Sequence, residues 1–158
     1  MQILLVSDSH RHNEYLEELK NKYPLMDLYL HAGDSESQEF EICNFVTVRG
    51  NCDFYYNYPE YRNIITAFGN ILITHKPTDL YKYKAKYQPS IFIYGHTHVP
   101  TLKKEGSLFY LNPGSLVYPR SNLGPTYMVI KIQKDSVEVS LFSLEEHKLI
   151  KHEKFTKL

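Results

Sequence analysis

The side chains able to do chemistry come in short clusters: Asp8-Ser9-His10, Gly33-Asp34, Gly50-Asn51, His75 and Gly95-His96-Thr97-His98. In Asp8-x-His10 and His96-x-His98 two metal-ligand types stand two residues apart. An extended backbone would turn both members of such a pair to one side, so each pair could chelate an ion. With Asp34, Asn51 and His75 the candidate ligands are Asp8, His10, Asp34, Asn51, His75, His96 and His98. That set is too large for one tetrahedral zinc and suits two ions sharing a bridging carboxylate. Mixed imidazole, carboxylate and amide donors point to manganese, iron, zinc or nickel rather than to the all-oxygen shell of calcium or a lightly held magnesium. Two divalent ions outweigh the charge of two aspartates. The pocket is therefore expected to be cationic, and to attract an anion, in a chain whose 18 Lys and Arg balance 18 Asp and Glu.

Each cluster alone is ordinary turn chemistry. Their shared position carries the argument, because Asp8, Asp34, Asn51, His75 and His96 each follow an apolar run that reads as a strand: residues 2–6, 27–32, 45–49, 70–74 and 91–94. Ligands of open α/β sheets sit at that carboxyl edge. Between the strands, Asn13 is placed to cap a helix carrying Leu16 and Leu19, and residues 78–87 read as a surface helix closed by Pro89. Residues 61–68 form a further β-like run, turning at Gly69. From residue 101 the pattern becomes antiparallel, with strands over 101–104, 107–111, 127–132 and 137–142. A charged tail over 145–158 reads as an edge strand or helix. Alternating elements followed by hairpins give an α/β fold.

The chain has 158 residues, 42% hydrophobic, and reads as one domain over 1–158 without a linker or repeat. Such a length buries enough surface to fold without disulfide or metal staples. Cys43 and Cys52 form no CxxC pair. No apolar run approaches the roughly 20 residues of a membrane span. The amino terminus enters a strand-like run with no basic segment or cleavage site, so a cytoplasmic protein is expected, with no membrane partner. The balanced charge argues against long nucleic acid as a partner.

The ordered set Asp8-x-His10, Gly33-Asp34, Gly50-Asn51-Cys52-Asp53, His75, Gly95-His96-x-His98 and Asn112-Pro113-Gly114-Ser115 resembles the calcineurin-like metallophosphoesterases, specifically their small bacterial and archaeal YfcE-type phosphodiesterase branch. The resemblance covers about residues 1–120. It implies a four-layer αββα sandwich of two mixed β-sheets flanked by helices, with a two-metal site at one edge. It further implies that Asp8, His10, Asp34 and His98 hold one ion and that Asp34, Asn51, His75 and His96 hold the other, Asp34 bridging. The cofactor expected is a pair of divalent ions, Mn2+ first, with Ni2+, Zn2+, Fe2+ or Mg2+ as alternatives.

The expected reaction is hydrolysis of a small phosphodiester by a hydroxide bridging the ions, with Asp34, Asn51 and His98 as the catalytic set. Asn51 and Arg120 are expected to contact phosphate. Two positions depart from the pattern. Larger relatives carry histidine where this chain has Cys52, which leaves the leaving group without an obvious acid and favours diesters or aryl esters over alkyl monoesters. In Thr74-His75-Lys76-Pro77 a second, optional histidine is missing. Alternatives are a non-catalytic scaffold, as in the eukaryotic retromer subunit of this superfamily, and a nucleotide-directed phosphatase.

Of the remaining polar residues, Arg11 could steer phosphate, and His12 reads as a helix-start residue. His31 reads as a core or supporting residue, His147 and His152 as surface, and Cys43 as a small buried hydrophobe. The 14 tyrosines include Tyr55, Tyr56, Tyr58 and Tyr61, and also Tyr81, Tyr83 and Tyr87. They fit either half-buried packing or a homodimer or homotetramer interface.

Overall fold

The computed structural model describes residues 1–157. Its strands are β1 (Gln2–Val6), β2 (Leu28–His31), β3 (Val46–Thr47), β4 (Tyr61–Ile65), β5 (Asn70–Thr74), β6 (Ile91–Ile93), β7 (Thr101–Glu105), β8 (Leu108–Asn112), β9 (Thr126–Ile132), β10 (Ser136–Ser143) and β11 (Leu149–Thr156). Helices α1 (Glu14–Lys22) and α2 (Leu80–Tyr87) accompany them. One sheet runs β11-β10-β9-β1-β2-β3 and the other β4-β5-β6-β8-β7. Both are mixed. β1 pairs β2, and β2 pairs β3, in parallel, as do β5 with β6 and β6 with β8.

Side-chain alternation explains the layering. Ile3 and Leu5 of β1, Ile71 and Ile73 of β5, and Ile91 and Ile93 of β6 meet in one core between the sheets. The intervening Leu4 and Val6 face the other way, onto Leu16 and Leu19 of α1. Leu72 and Phe92 likewise face Leu80 of α2. A strand covered on both faces must be apolar at every position, which is why β1 and β6 read as unbroken hydrophobic runs. The α/β, four-layer architecture is as expected. Parallel pairing brings the carboxyl ends of β1, β2 and β3 to one edge of their sheet and those of β5 and β6 to one edge of theirs.

Some elements differ from expectation. β3 is two residues long rather than five, because the Arg49 amide leaves the ladder and donates to the Pro59 carbonyl at 2.8 Å. β4 stops at Ile65, where the Thr66 hydroxyl takes over the turn through Phe68 and Gly69. Asn13 makes no side-chain cap, and its amide instead donates to Ser37 Oγ at 3.0 Å. The second helix begins at Leu80 after a short 3₁₀ turn at Pro77–Asp79. The charged tail is an edge strand, β11, and its Lys, Glu and His residues discourage pairing with another chain.

Candidate metal centre

The loops after β1 and β2 are stitched together through the backbone: Asp8 N to Gly33 O (3.0 Å), His10 N to Asp34 O (3.0 Å) and Arg11 N to Ser35 O (2.9 Å). The Ser115 hydroxyl donates to the Asp8 carbonyl at 2.8 Å, and the Asn112 amide to the Gly95 carbonyl at 3.0 Å. Within this network Asp8, His10, Asp34, His96 and His98 all have positive φ, between 41° and 67°. The two-residue pairs are therefore not extended, contrary to the expectation from their spacing. Left-handed turns aim them, each costing roughly 1–2 kcal/mol that the surrounding hydrogen bonds must offset.

Close approach needs glycine at two places. A Cβ on Gly50 would stand 2.0 Å from Asp34 Oδ1, and one on Gly95 would stand 2.1 Å from Ser7 Oγ and 2.7 Å from Asp8 Oδ2.

The seven expected side chains converge at the joined edge of the two sheets. Asp8 is fully buried. Its Oδ2 accepts from Ser7 Oγ and from the His96 amide at 3.1 Å. Among the described residues its Oδ1 has no hydrogen bond, yet it lies 3.1 Å from His98 Nε2 and 3.9 Å from both His10 Nε2 and His75 Nε2. His10 Nε2 is also buried without a hydrogen-bond partner among the described residues. Asp34 Oδ2 is 3.2 Å from His75 Nε2, while its Oδ1 accepts from the Cys52 amide at 2.8 Å. Asn51 Oδ1 is 2.9 Å from His75 Nε2 and 3.0 Å from His96 Nδ1. The atom that reaches both the His10–His98 side and the His75 side is thus Asp8 Oδ1.

Two imidazoles are oriented from behind. His75 Nδ1 donates to the Ala32 carbonyl and His98 Nδ1 to the Tyr118 carbonyl, each at 2.7 Å. Since a carbonyl can only accept, Nε2 in each ring is the nitrogen turned toward the carboxylates, the arrangement that orients a metal-ligating histidine. Nε2 lone pairs facing oxygen atoms are reconciled only by a proton or a cation between them. The donors therefore fit a divalent metal, with Asp8, His10 and His98 in one compact group and Asp8, Asp34 and His75 in another.

The electrostatics agree. Burial pushes the Asp34 carboxyl up, but the His75 hydrogen bond and charge and the Cys52 amide overcome it and bring it down to about 2. Burial opposes the Asp8 charge too, and His98 and His75 still hold its pKa below the usual carboxylate range. The Asp8 carboxylate, 3.1 Å from its Nε2, raises His98. His75 is raised by Asp34 and Asp8 against its own burial. Burial lowers the more open His96, with the His75 charge adding to it. Burial first, then the Asp34 and Glu36 charges, push the Cys52 thiol up to about 11.

The sequence pattern placed Asp53 in a motif without giving it a role and did not single out Glu36. Asp53 is fully buried and accepts from the amides of Gly50 (2.7 Å), Glu36 (2.8 Å) and Asp34 (2.9 Å), tying the two loops that carry Asp34 and Asn51. A carboxylate two residues after Gly50-Asn51 was the available signal. Glu36 Oε2 lies 3.4 Å from His10 Nδ1 and forms a further group with His10 and Cys52.

His31 supports the site without entering it. Its Nδ1 accepts from the Gly33 amide (3.1 Å), so Nε2 donates to Ser9 Oγ (2.8 Å), and burial lowers its pKa to about 4. Arg11 and Arg120 are exposed, and among the described residues the Arg120 side chain makes no hydrogen bond or ion pair. His12 lies 3.3 Å from Glu14 and stacks on Tyr15. His147 is half-buried rather than a free surface residue, clasped between Tyr127 (2.9 Å) and Glu18 (3.1 Å). His152 is exposed, as expected. Cys43 is half-buried. Tyr61 stacks on Tyr83 at 4.1 Å and meets the Tyr87 hydroxyl at 2.6 Å, whereas Tyr55 and Tyr81 stand in solvent.

Residues 1–135 match the model of the calcineurin-like phosphoesterase superfamily domain. The chain belongs to that superfamily. Within it, a probable metallophosphoesterase of Mycoplasma genitalium is 31% identical over 153 residues, covering 87% of this chain and 91% of that one. The phosphodiesterase YfcE of Escherichia coli K12 is 26% identical over 117 residues, 66% of this chain and 60% of that one. A predicted phosphoesterase from Streptococcus pneumoniae TIGR4 superposes with a TM-score of 0.87 at 28% identity, covering 99% and 97% of the two chains. Calcineurin-like phosphoesterases are metal-dependent hydrolases, and the convergent donors above are the residues of this member that could hold the metal.

Proposed function

We propose that the protein is a metal-dependent phosphodiesterase acting on a small phosphodiester, with two divalent ions, Mn2+ first among them. In this reading Asp8, His10, Asp34 and His98 would hold one ion and Asp34, Asn51, His75 and His96 the other, Asp34 being shared; Asp8 Oδ1 also lies 3.9 Å from both His10 Nε2 and His75 Nε2. The observation that carries it is the pair of buried, unpartnered atoms Asp8 Oδ1 and His10 Nε2, which face each other beside His98 in a superfamily of metal-dependent esterases. The name of the Escherichia coli relative supports the choice of diester. Bound there, divalent cations supply a nucleophile from water near neutral pH and offset negative charge developing on the phosphoryl oxygens.

The chain's own residues do the positioning. Ala32 and Tyr118 carbonyls fix the rings of His75 and His98, and Asp53 fixes the loops of Asp34 and Asn51. Asn51 is exposed at the mouth, where its amide can meet an incoming phosphate. A Cys52 thiol at about 11 is a poor proton donor at neutral pH, which favours esters whose leaving group departs without one.

The test is a screen of the purified protein with Mn2+, Ni2+, Zn2+ or Mg2+ against bis-p-nitrophenyl phosphate and alkyl phosphate monoesters, with His98→Ala alongside. Faster diester hydrolysis, lost in the variant by about 100-fold or more, is expected. An unchanged rate in His98→Ala would overturn the site. Faster monoester hydrolysis would overturn the diester preference.

A further inference from the structure

Next to the metal centre, a cleft of about 340 Å³ opens against Asn51 and His75. That volume falls at the small end of ligand pockets, enough for one group of a substrate. Its charged lining consists of Arg49, Lys76, Lys82, Glu60 and Asp79. Lys82 and Asp79 largely cancel, standing 3.4 Å apart, and Glu60 accepts a hydrogen bond from Tyr83 at 3.3 Å. Among the described residues neither Arg49 nor Lys76 has a side-chain hydrogen bond or ion pair, although each flanks a proposed metal ligand: Arg49 precedes Gly50-Asn51 and Lys76 follows His75. The cleft therefore holds a net positive charge in a chain of zero net charge. Phe54, 73% exposed, gives it an apolar wall.

Unpaired cations do not gather beside a cationic metal centre to stabilise the fold, since they repel one another and the ions. Their arrangement fits an anion placed one group away from the ester that reacts. We propose that this cleft is a subsite for a second phosphate of the substrate, held by Arg49 and Lys76, so that the preferred substrates are phosphodiesters bearing a further phosphate group. Arg49 offers the planar fork that matches a phosphate, and Lys76 a point charge beside it. Lys76 lies in Thr74-His75-Lys76-Pro77, the stretch in which the chain departs from the pattern of the family it resembles. The inference rests on the phosphodiesterase reading above.

The test uses the Mn2+-loaded protein and a matched pair of chromogenic diesters: the p-nitrophenyl ester of thymidine 5′-phosphate, with and without a 3′-phosphate. The 3′-phosphorylated ester is expected to show the lower KM. Arg49→Gln and Lys76→Gln should each raise that KM by about 10- to 100-fold. Both should leave KM and kcat for the unphosphorylated ester within about twofold, and Arg49→Lys should restore part of the loss. Equal KM values for the two esters in the parent protein, or equal losses on both in the variants, would overturn the subsite and leave the phosphodiesterase reading intact. Cleavage of neither ester would overturn that reading and the subsite with it.

Discussion

The two sides of the metal centre are built differently. On the inner side Asp8, Asp34, His75 and His98 are buried, and each is held by a backbone or hydroxyl partner behind it: Ser7 and the His96 amide for Asp8, the Cys52 amide for Asp34, carbonyls for the two rings. On the outer side Asn51 is exposed, His96 and Cys52 are half-exposed, and their side chains touch mainly one another and His75. A charge taken out of water must be paired and fixed, so the inner residues are over-determined by their surroundings. The outer residues remain open because a substrate has to arrive there. The inner side sets the geometry of the centre, and the outer side, with the Arg49–Lys76 cleft beyond it, sets what the centre can receive.

The sharpest way to break that contrast is at Asp8. Asp8→Asn keeps the shape but removes the charge that reaches both groups of imidazoles. Turnover of bis-p-nitrophenyl phosphate at saturating Mn2+ should fall by about 1,000-fold or more, with metal content falling in parallel. A loss below tenfold would show that Asp8 is not central. One step back, Asp53→Asn leaves Asp34 and Asn51 in the chain but weakens the grip on their loops. Mn2+ affinity or activity should drop about 10- to 100-fold, a range expected when the group supporting a ligand is altered. Titration of Mn2+ against activity measures it, and an unchanged midpoint would deny Asp53 its positioning role. The smallest effect belongs to the outer side. Because the Cys52 amide rather than its thiol binds Asp34, Cys52→Ala should change diester turnover by no more than about twofold. A large loss there would erase the distinction between the two sides.

Much of this was legible from residue types. The apolar runs of β1, β5 and β6 announced themselves because strands covered on both faces must be hydrophobic throughout, and each is followed by the polar residue it delivers to the edge. β3 was overestimated because nothing local records that the Arg49 amide pairs with Pro59. Asn13 has the right type for a cap, but Ser37, distant in sequence, claims its side chain. His147 looked like a surface residue until Tyr127 and Glu18 closed on it.

The sequence by itself determined the fold class, the order of the strand-end clusters and the set of donors, since hydrophobic periodicity and ligand chemistry are properties of residues and their neighbours. Only the tertiary structure decided how those donors are aimed. The left-handed turns at Asp8, His10, Asp34, His96 and His98 replace the extended backbone that spacing implied, and they persist because hydrogen bonds to the Gly33 and Asp34 carbonyls and from the Ser115 hydroxyl and the Asn112 amide hold the loops in place. It also made Asp53 the tie between two loops and, among the described residues, left Arg49 and Lys76 unpaired beside the centre, since such pairings depend on residues brought together from far along the chain.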